Sequence, residues 1–164
     1  MTFQKRLESA EGYLALGMHD DALAELDAAL AQQPDSVEAV AARAFALLTT
    51  LRYVEAETGF KKLLALRPEN VDGWIHLAYC RRRTQSLEAA VKALEQALRL
   101  RGDHPLANYN MACYRAVEGH HAEALRLLEN AIRKDPTYAR LAHEEEDFES
   151  MKRLPGFQSL VGQS

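Results

Sequence analysis

Residues 71–104 read VDGWIHLAYCRRRTQSLEAAVKALEQALRLRGDH. Apolar residues recur in this stretch at the three- and four-residue spacing of an amphipathic α-helix. They form two blocks, and the break between the blocks falls near Gln85. The stretch is therefore predicted to form a helical hairpin, in which two antiparallel helices are joined by a short turn.

Two rows of alanine repeat this pattern along the chain with a period of 34 residues. One row is Ala10, Ala44, Ala78 and Ala112, and the other is Ala22, Ala56, Ala90 and Ala124. Where two antiparallel helices cross, a methyl side chain lets the backbones approach closely, whereas a larger one forces them apart. The rows predict the crossing points of four successive hairpins.

Larger apolar residues and a terminating slot keep the same period. The predicted core rows are Leu26, Phe60, Leu94, Leu128 and Leu30, Leu64, Leu98, Ile132. The slot after each second helix holds Pro34, Pro68, Gly102 and Pro136. Proline ends a helix because it lacks an amide hydrogen and pushes the preceding residue out of helical geometry. The turns inside the hairpins are predicted near Gly17, Thr50, Gln85 and Gly119.

The composition also favours an all-α fold. The 164 residues are 48% hydrophobic and 27% charged, and only eight Gly and five Pro interrupt them. Ala, Leu, Glu and Arg, which favour helices, are abundant, and no alternating β-branched run is bounded by a tight glycine turn. A net charge of −4 argues against nucleic-acid binding, which needs a basic face. The Arg81-Arg82-Arg83 triplet is interpreted as a solvated helix end.

The expected location is the cytoplasm. Charges at Lys5, Arg6 and Glu8 stand where a signal peptide needs an apolar stretch, and no window reaches the roughly 18 apolar residues of a membrane span. No membrane partner is expected. Cys80 and Cys113 lie in helical segments, so they are predicted to be buried, reduced thiols and not a disulfide.

The third unit matches a known family most closely. The matching residues are Trp74, Leu77, Ala78, Leu87, Ala90, Leu94, Ala97 and Leu98. With the 34-residue period and the terminal proline, they resemble the tetratricopeptide repeat. The resemblance covers residues 3 to about 138 and implies a single domain, residues 1–164, with repeats at about 3–36, 37–70, 71–104 and 105–138. The implied fold is an all-α, right-handed superhelical solenoid of four hairpins.

Residues 139–164 leave the period and are predicted to be capping helices, because a stacked array needs its last apolar face covered. Two short helices folded over the fourth hairpin are expected. The acidic run 144–147 lies in this segment. It is interpreted as solvated, since consecutive carboxylates on a helix fan around the axis and do not converge on one ion.

The sequence offers no candidate for catalysis, cofactor binding or metal binding. The six histidines are scattered, and zinc signatures, glycine-rich phosphate loops and nucleophile elbows are missing. We therefore expect no enzyme activity, no cofactor and no metal.

The resemblance implies that the first helix of each hairpin lines a concave groove that binds partners. The predicted partner-binding groove residues are Phe45, Leu48, Ile75, His76, Tyr79, Arg82, Arg83, Tyr109, Asn110 and Cys113. Phe45, Tyr79 and Tyr109 are the predicted apolar anchors, with Arg82 fixing the register of the bound segment. A contiguous apolar strip of this kind usually marks an interaction site.

The resulting functional hypothesis is an adaptor that holds a peptide or helix of a partner protein in the groove. Two alternatives stay open. The chain is also compatible with a chaperone dedicated to one secreted protein. It is equally compatible with a self-associating assembly subunit, a homo-oligomer that packs through Phe3, Leu7 and Leu14 of its first helix.

Overall fold

The computed structural model describes residues 1–162, which contain helices and connecting turns and no strand. Eight helices come first, in the order of the four predicted hairpins: α1 (Phe3–Ala15) and α2 (His19–Gln32), α3 (Val37–Thr49) and α4 (Tyr53–Leu66), α5 (Val71–Thr84) and α6 (Leu87–Leu100), and α7 (Pro105–Val117) and α8 (His121–Lys134). The predicted all-α helical repeat fold is confirmed. The turns fall at the predicted breaks.

The chain divides into two compact units, Met1–Ala93 and a second that starts at Leu94. In the first unit, α1 packs on α2, α2 on α3, α3 on α4, and α4 on α5. In the second unit, α7 packs on α8. The single domain and its four repeat limits stay predictions.

The two alanine rows lie in the core. All eight alanines are buried, and none exposes more than 1% of its surface. The core row Leu26, Phe60, Leu94 and Leu128 is buried as well. The alanines thus occupy the interior positions that close helix crossing requires.

A further periodic row caps the first helix of each hairpin. Thr2, Ser36, Asn70 and His104 precede α1, α3, α5 and α7, and each side chain accepts a hydrogen bond from the amide three residues later. These bonds satisfy amides that have no partner within the helix. Each hairpin therefore starts at a defined residue.

The last described segment consists of three helical pieces, where the sequence predicted two. They are α9 (Thr137–Glu144), the 3-10 helix η1 (Glu146–Met151) and α10 (Pro155–Val161). η1 packs on α7, whereas α9 and α10 pack on α8. α9 begins before residue 139 because Pro136 already has helical backbone angles, with φ −59° and ψ −17°. Residues 163–164 of the predicted segment lie outside the described residues.

Candidate functional site

Aromatic side chains of α3 and α5 meet on the surface of the first unit. Phe45 on α3 exposes 46% of its surface, and its ring centroid lies 5.5 Å from that of His76 on α5. The His76 ring in turn lies 5.4 Å from the buried ring of Phe60. The exposed Phe45 ring is therefore held against a ring that is itself anchored in the core.

A cation lies over the next aromatic ring of α5. The guanidinium carbon of Arg83 is 3.8 Å from the ring centroid of Tyr79 and 5.2 Å from that of Tyr53 on α4. Both distances fall within the roughly 6 Å reach of a cation–π interaction. Burial raises the pKa of Tyr79, and the charge of Arg83 acts in the opposite direction. We call Phe45, His76, Tyr79 and Arg83 the α3–α5 cluster.

The other predicted groove residues of the first unit expose less of their surface to solvent than Phe45 and Arg83 do. Ile75 exposes only 1% and belongs to the core, so it offers no contact to a partner. Leu48 and Arg82 are half-buried. The accessible part of the predicted groove in this unit is therefore centred on the α3–α5 cluster.

The predicted anchor Tyr109 is covered by the C-terminal segment. Its side chain exposes 7%, and its ring centroid lies 4.8 Å from that of Tyr138 and 5.9 Å from that of Phe148. Burial, with smaller contributions from Cys113 and Glu145, raises its pKa. The expectation of an open anchor at Tyr109 is corrected here, because α9 and η1 supply the rings that a partner was expected to supply.

The two remaining groove residues also lie on α7. Cys113 is buried, at 4% exposed, and Asn110 is half-buried. Cys113 therefore offers little surface to a partner in this structure. Cys80 and Cys113 are both buried, and no disulfide joins them, as the sequence predicted.

The second unit contains a pocket between α6, α7 and α8. The sequence did not predict it. It has a volume of about 480 Å³. Its lining includes the amides of Asn108 and Asn130 and the apolar side chains of Leu98, Met111 and Leu127. The available signal was the repeat itself, since Asn108 stands 34 residues after Trp74.

Three arginines line this pocket, and they differ in whether they pair with an acid. Arg115 lies 2.8 Å from Glu118, 3.3 Å from Glu123 and 3.6 Å from Glu95. Arg99 and Arg126 line the same pocket, are exposed, and pair with no acid among residues 1–162. The pocket lining therefore contains two glutamates, Glu95 and Glu123, that pair with Arg115, and two guanidinium groups, on Arg99 and Arg126, that pair with no acid in the described part of the chain.

The tetratricopeptide repeat profile matches residues 7–59 and 46–105. The chain belongs to the tetratricopeptide repeat family. No curated protein matches the sequence.

Solved tetratricopeptide repeat (TPR) structures share the fold. A crystal structure of the MamA protein matches with a TM-score of 0.78 at 18% identity, over 97% of this chain and 84% of that chain. A thermophilic TPR protein from Thermus thermophilus matches with a TM-score of 0.75 at 24% identity, over 97% of this chain and 88% of that one. At these identities the likeness establishes the fold alone.

Membership in the TPR family supports a general role in protein–protein interaction. Within residues 1–162, the structure contains no helix that is long and apolar enough to cross a membrane. The same residues bring no three His, Cys, Asp or Glu side chains together as potential metal ligands.

Proposed function

We propose that this TPR protein is an adaptor that binds an extended or helical segment of a partner protein at the α3–α5 cluster. The observation that carries the proposal is the exposure of Phe45, whose ring lies against His76 on α5. The same helix carries the contact between Tyr79 and Arg83. Phe45 lies on a first helix of a hairpin, the helix that the family resemblance assigns to partner binding. We expect the adaptor to act in the cytoplasm.

The chemistry of the cluster indicates what the partner segment carries. An exposed phenyl ring gains free energy when a partner removes it from water, at about 25 cal/mol per Å² of apolar surface buried. Arg83 is exposed, and its contact with the Tyr79 ring restricts the conformations of its side chain. The guanidinium charge is therefore already positioned when a partner binds. We therefore propose a segment with an apolar side chain for Phe45 and a nearby carboxylate for Arg83.

Comparative affinity capture tests the proposal. The native protein is compared with a Phe45→Ala, Arg83→Ala variant, and retained proteins are quantified by mass spectrometry. Leu100→Ala is the matched control, because Leu100 exposes 47% of its surface, close to the 46% of Phe45, but lies on α6. Helicity of all three proteins is checked by circular dichroism.

The proposal expects a partner that the native protein and Leu100→Ala retain and that the cluster variant loses. Loss of an aromatic anchor typically weakens binding by about 2 kcal/mol or more, roughly thirtyfold. Equal retention by all three proteins contradicts the proposal and assigns the contact to another surface.

The two alternative functions have distinct tests. A dedicated chaperone is expected to co-purify with one client that is unstable without it. Self-association through α1 draws less support than the sequence suggested, because Leu7 is buried and Phe3 packs against the same core cluster. Sedimentation over a range of concentrations tests it, and a strict monomer throughout contradicts it.

A further inference from the structure

The pocket in the second unit lies where the repeat pattern loses an aromatic ring. Trp74 in the third hairpin and Asn108 in the fourth occupy the same repeat position. The indole nitrogen of Trp74 donates to the carbonyl oxygen of Pro68 at 2.8 Å. The amide nitrogen of Asn108 donates to the carbonyl oxygen of Gly102, the equivalent residue, at 2.9 Å. The hydrogen bond is thus kept while the ring is missing.

The space beside Asn108 is large enough to hold a ligand group. Its volume of about 480 Å³ falls within the roughly 300–1,000 Å³ of typical ligand sites. Leu98, Met111 and Leu127 supply apolar contacts, and Asn108, only 2% exposed, is fixed by bonds to the carbonyl oxygens of Gly102 and His104. The three apolar side chains can contact a flat apolar group that enters the pocket.

The exposed arginines that line the pocket favour an apolar group with a carboxylate next to it. Arg115 is offset by three glutamates, whereas Arg99 and Arg126 have no acidic partner among residues 1–162. Arginine binds carboxylates through two parallel hydrogen bonds when the geometry allows. An acid next to the inserted ring would therefore meet these two side chains.

We propose that the pocket at Asn108 binds an aromatic side chain of a partner protein segment, with flanking carboxylates that pair with Arg99 and Arg126. The site lies in the second unit and is independent of the α3–α5 cluster. It gives the protein a second contact of defined chemistry, aromatic and acidic. The partner's ring would lie beside Asn108, the repeat position that Trp74 occupies in the preceding hairpin.

The test titrates the ¹⁵N-labelled full-length protein with acetyl-Asp-Trp-Asp-amide and follows the side-chain amide signals of Asn108 and Asn130 by NMR. Acetyl-Asp-Ala-Asp-amide, which lacks the ring, and acetyl-Asn-Trp-Asn-amide, which lacks the charges, are the comparison peptides. The proposal expects saturable shifts with the first peptide, at a dissociation constant on the order of 1 mM or tighter for so small a ligand. Both comparison peptides are expected to bind several-fold more weakly.

Three variants locate the binding. Asn108→Trp fills the pocket and can keep the bond to the Gly102 carbonyl, so it is expected to fold and to weaken binding at least tenfold. Arg99→Glu, Arg126→Glu changes only exposed side chains and is expected to abolish binding of the acidic peptide, which keeps the test decisive if the tryptophan variant does not fold. Phe45→Ala is expected to bind as the native protein does.

Two results overturn the proposal. One is the absence of saturable shifts up to about 10 mM peptide, a concentration at which even millimolar affinity is visible. The other is an unchanged dissociation constant in the charge-reversed variant or in a folded Asn108→Trp protein, since binding would then lie outside the pocket.

Discussion

Gly59 on α4 lies directly against Ala44 on α3, so that a methyl group at Gly59 would stand 2.8 Å from the β-carbon of Ala44. Real β-carbons do not approach so closely, and both positions belong to the helix crossing of the second hairpin. The two residues together set how near the helices come. A larger side chain at either position would disturb the packing of α3 against α4, because a packed core relaxes only partially.

Gly59→Ala is therefore expected to destabilise the protein by about 1–3 kcal/mol, the usual cost of overpacking. Helix propensity alone predicts the opposite, a gain of roughly 0.5–1 kcal/mol. Gly12→Ala is the matched control, since Gly12 lies inside α1 with nothing within 4 Å of its added methyl group. Urea unfolding measures both, and a stabilised Gly59→Ala protein would contradict the close crossing.

Leu51 occupies a left-handed turn position, with φ 62°, where the first and fourth hairpins have Gly17 and Gly119. Its side chain is 67% exposed, so it contributes little packing. Leu51→Gly is expected to raise the free energy of unfolding by up to about 1 kcal/mol, because glycine adopts this geometry without strain. Gly17→Leu tests the reverse and should lower the melting temperature. A less stable Leu51→Gly protein would show that Leu51 packs more than its exposure indicates.

Ionisation of the buried Cys80 thiol is expected to lower the free energy of unfolding at alkaline pH. Burial raises the pKa of its thiol from the ordinary 9.0 to about 11. The folded protein keeps this proton between pH 9 and 11 while the unfolded chain releases it, so stability is complete below pH 9 and is lost as the pH rises towards 11. The shift corresponds to about 2–3 kcal/mol at most.

Urea unfolding from about pH 8 to 11 checks the effect by comparing the native protein with Cys80→Ala. All other ionisable side chains are the same in the two proteins, so the difference between their stability curves isolates Cys80. The native protein should lose more stability than the variant across this range. Parallel curves would contradict the assignment.

Phe148 holds the C-terminal segment on the fourth hairpin. It is fully buried, and its ring contacts those of Tyr109 and Phe157. Phe148→Ala is expected to cost about 3–5 kcal/mol, as for other buried aromatic truncations. Hydrogen exchange should show lost protection in η1 and α7 together. Unchanged protection in α7 would mean that the segment does not stabilise the hairpin it covers.

The periodic part of the fold could be predicted because it depends on local spacing. The two alanine rows and the terminating slot locate all four hairpins, and the turns near Gly17 and Gln85 lie where the pattern breaks. The capping row was only partly visible. Ser36 and Asn70 are residue types that commonly cap helices, whereas His104 caps α7 through a ring nitrogen that such preferences do not suggest.

The non-periodic part could not be predicted. Tyr109 follows the groove pattern of its row, yet Tyr138 and Phe148 cover it, and neither belongs to any repeat row. Spacing gives no information about which segment folds onto which face. The pocket at Asn108 could be predicted only in part. The 34-residue period shows that Asn108 replaces the tryptophan of the preceding repeat, but the volume of the pocket can be obtained only from the structure.

The central claim, that the α3–α5 cluster is the partner-binding surface, is tested most directly by crosslinking from Phe45 itself. A photo-reactive phenylalanine analogue is placed at position 45 in one protein and at position 100 in another, and both are irradiated in cells of the source organism. The account predicts a specific crosslinked partner from position 45 that is absent from position 100 and diminished by Arg83→Ala. The same crosslinks from both positions, or none from position 45, would contradict it.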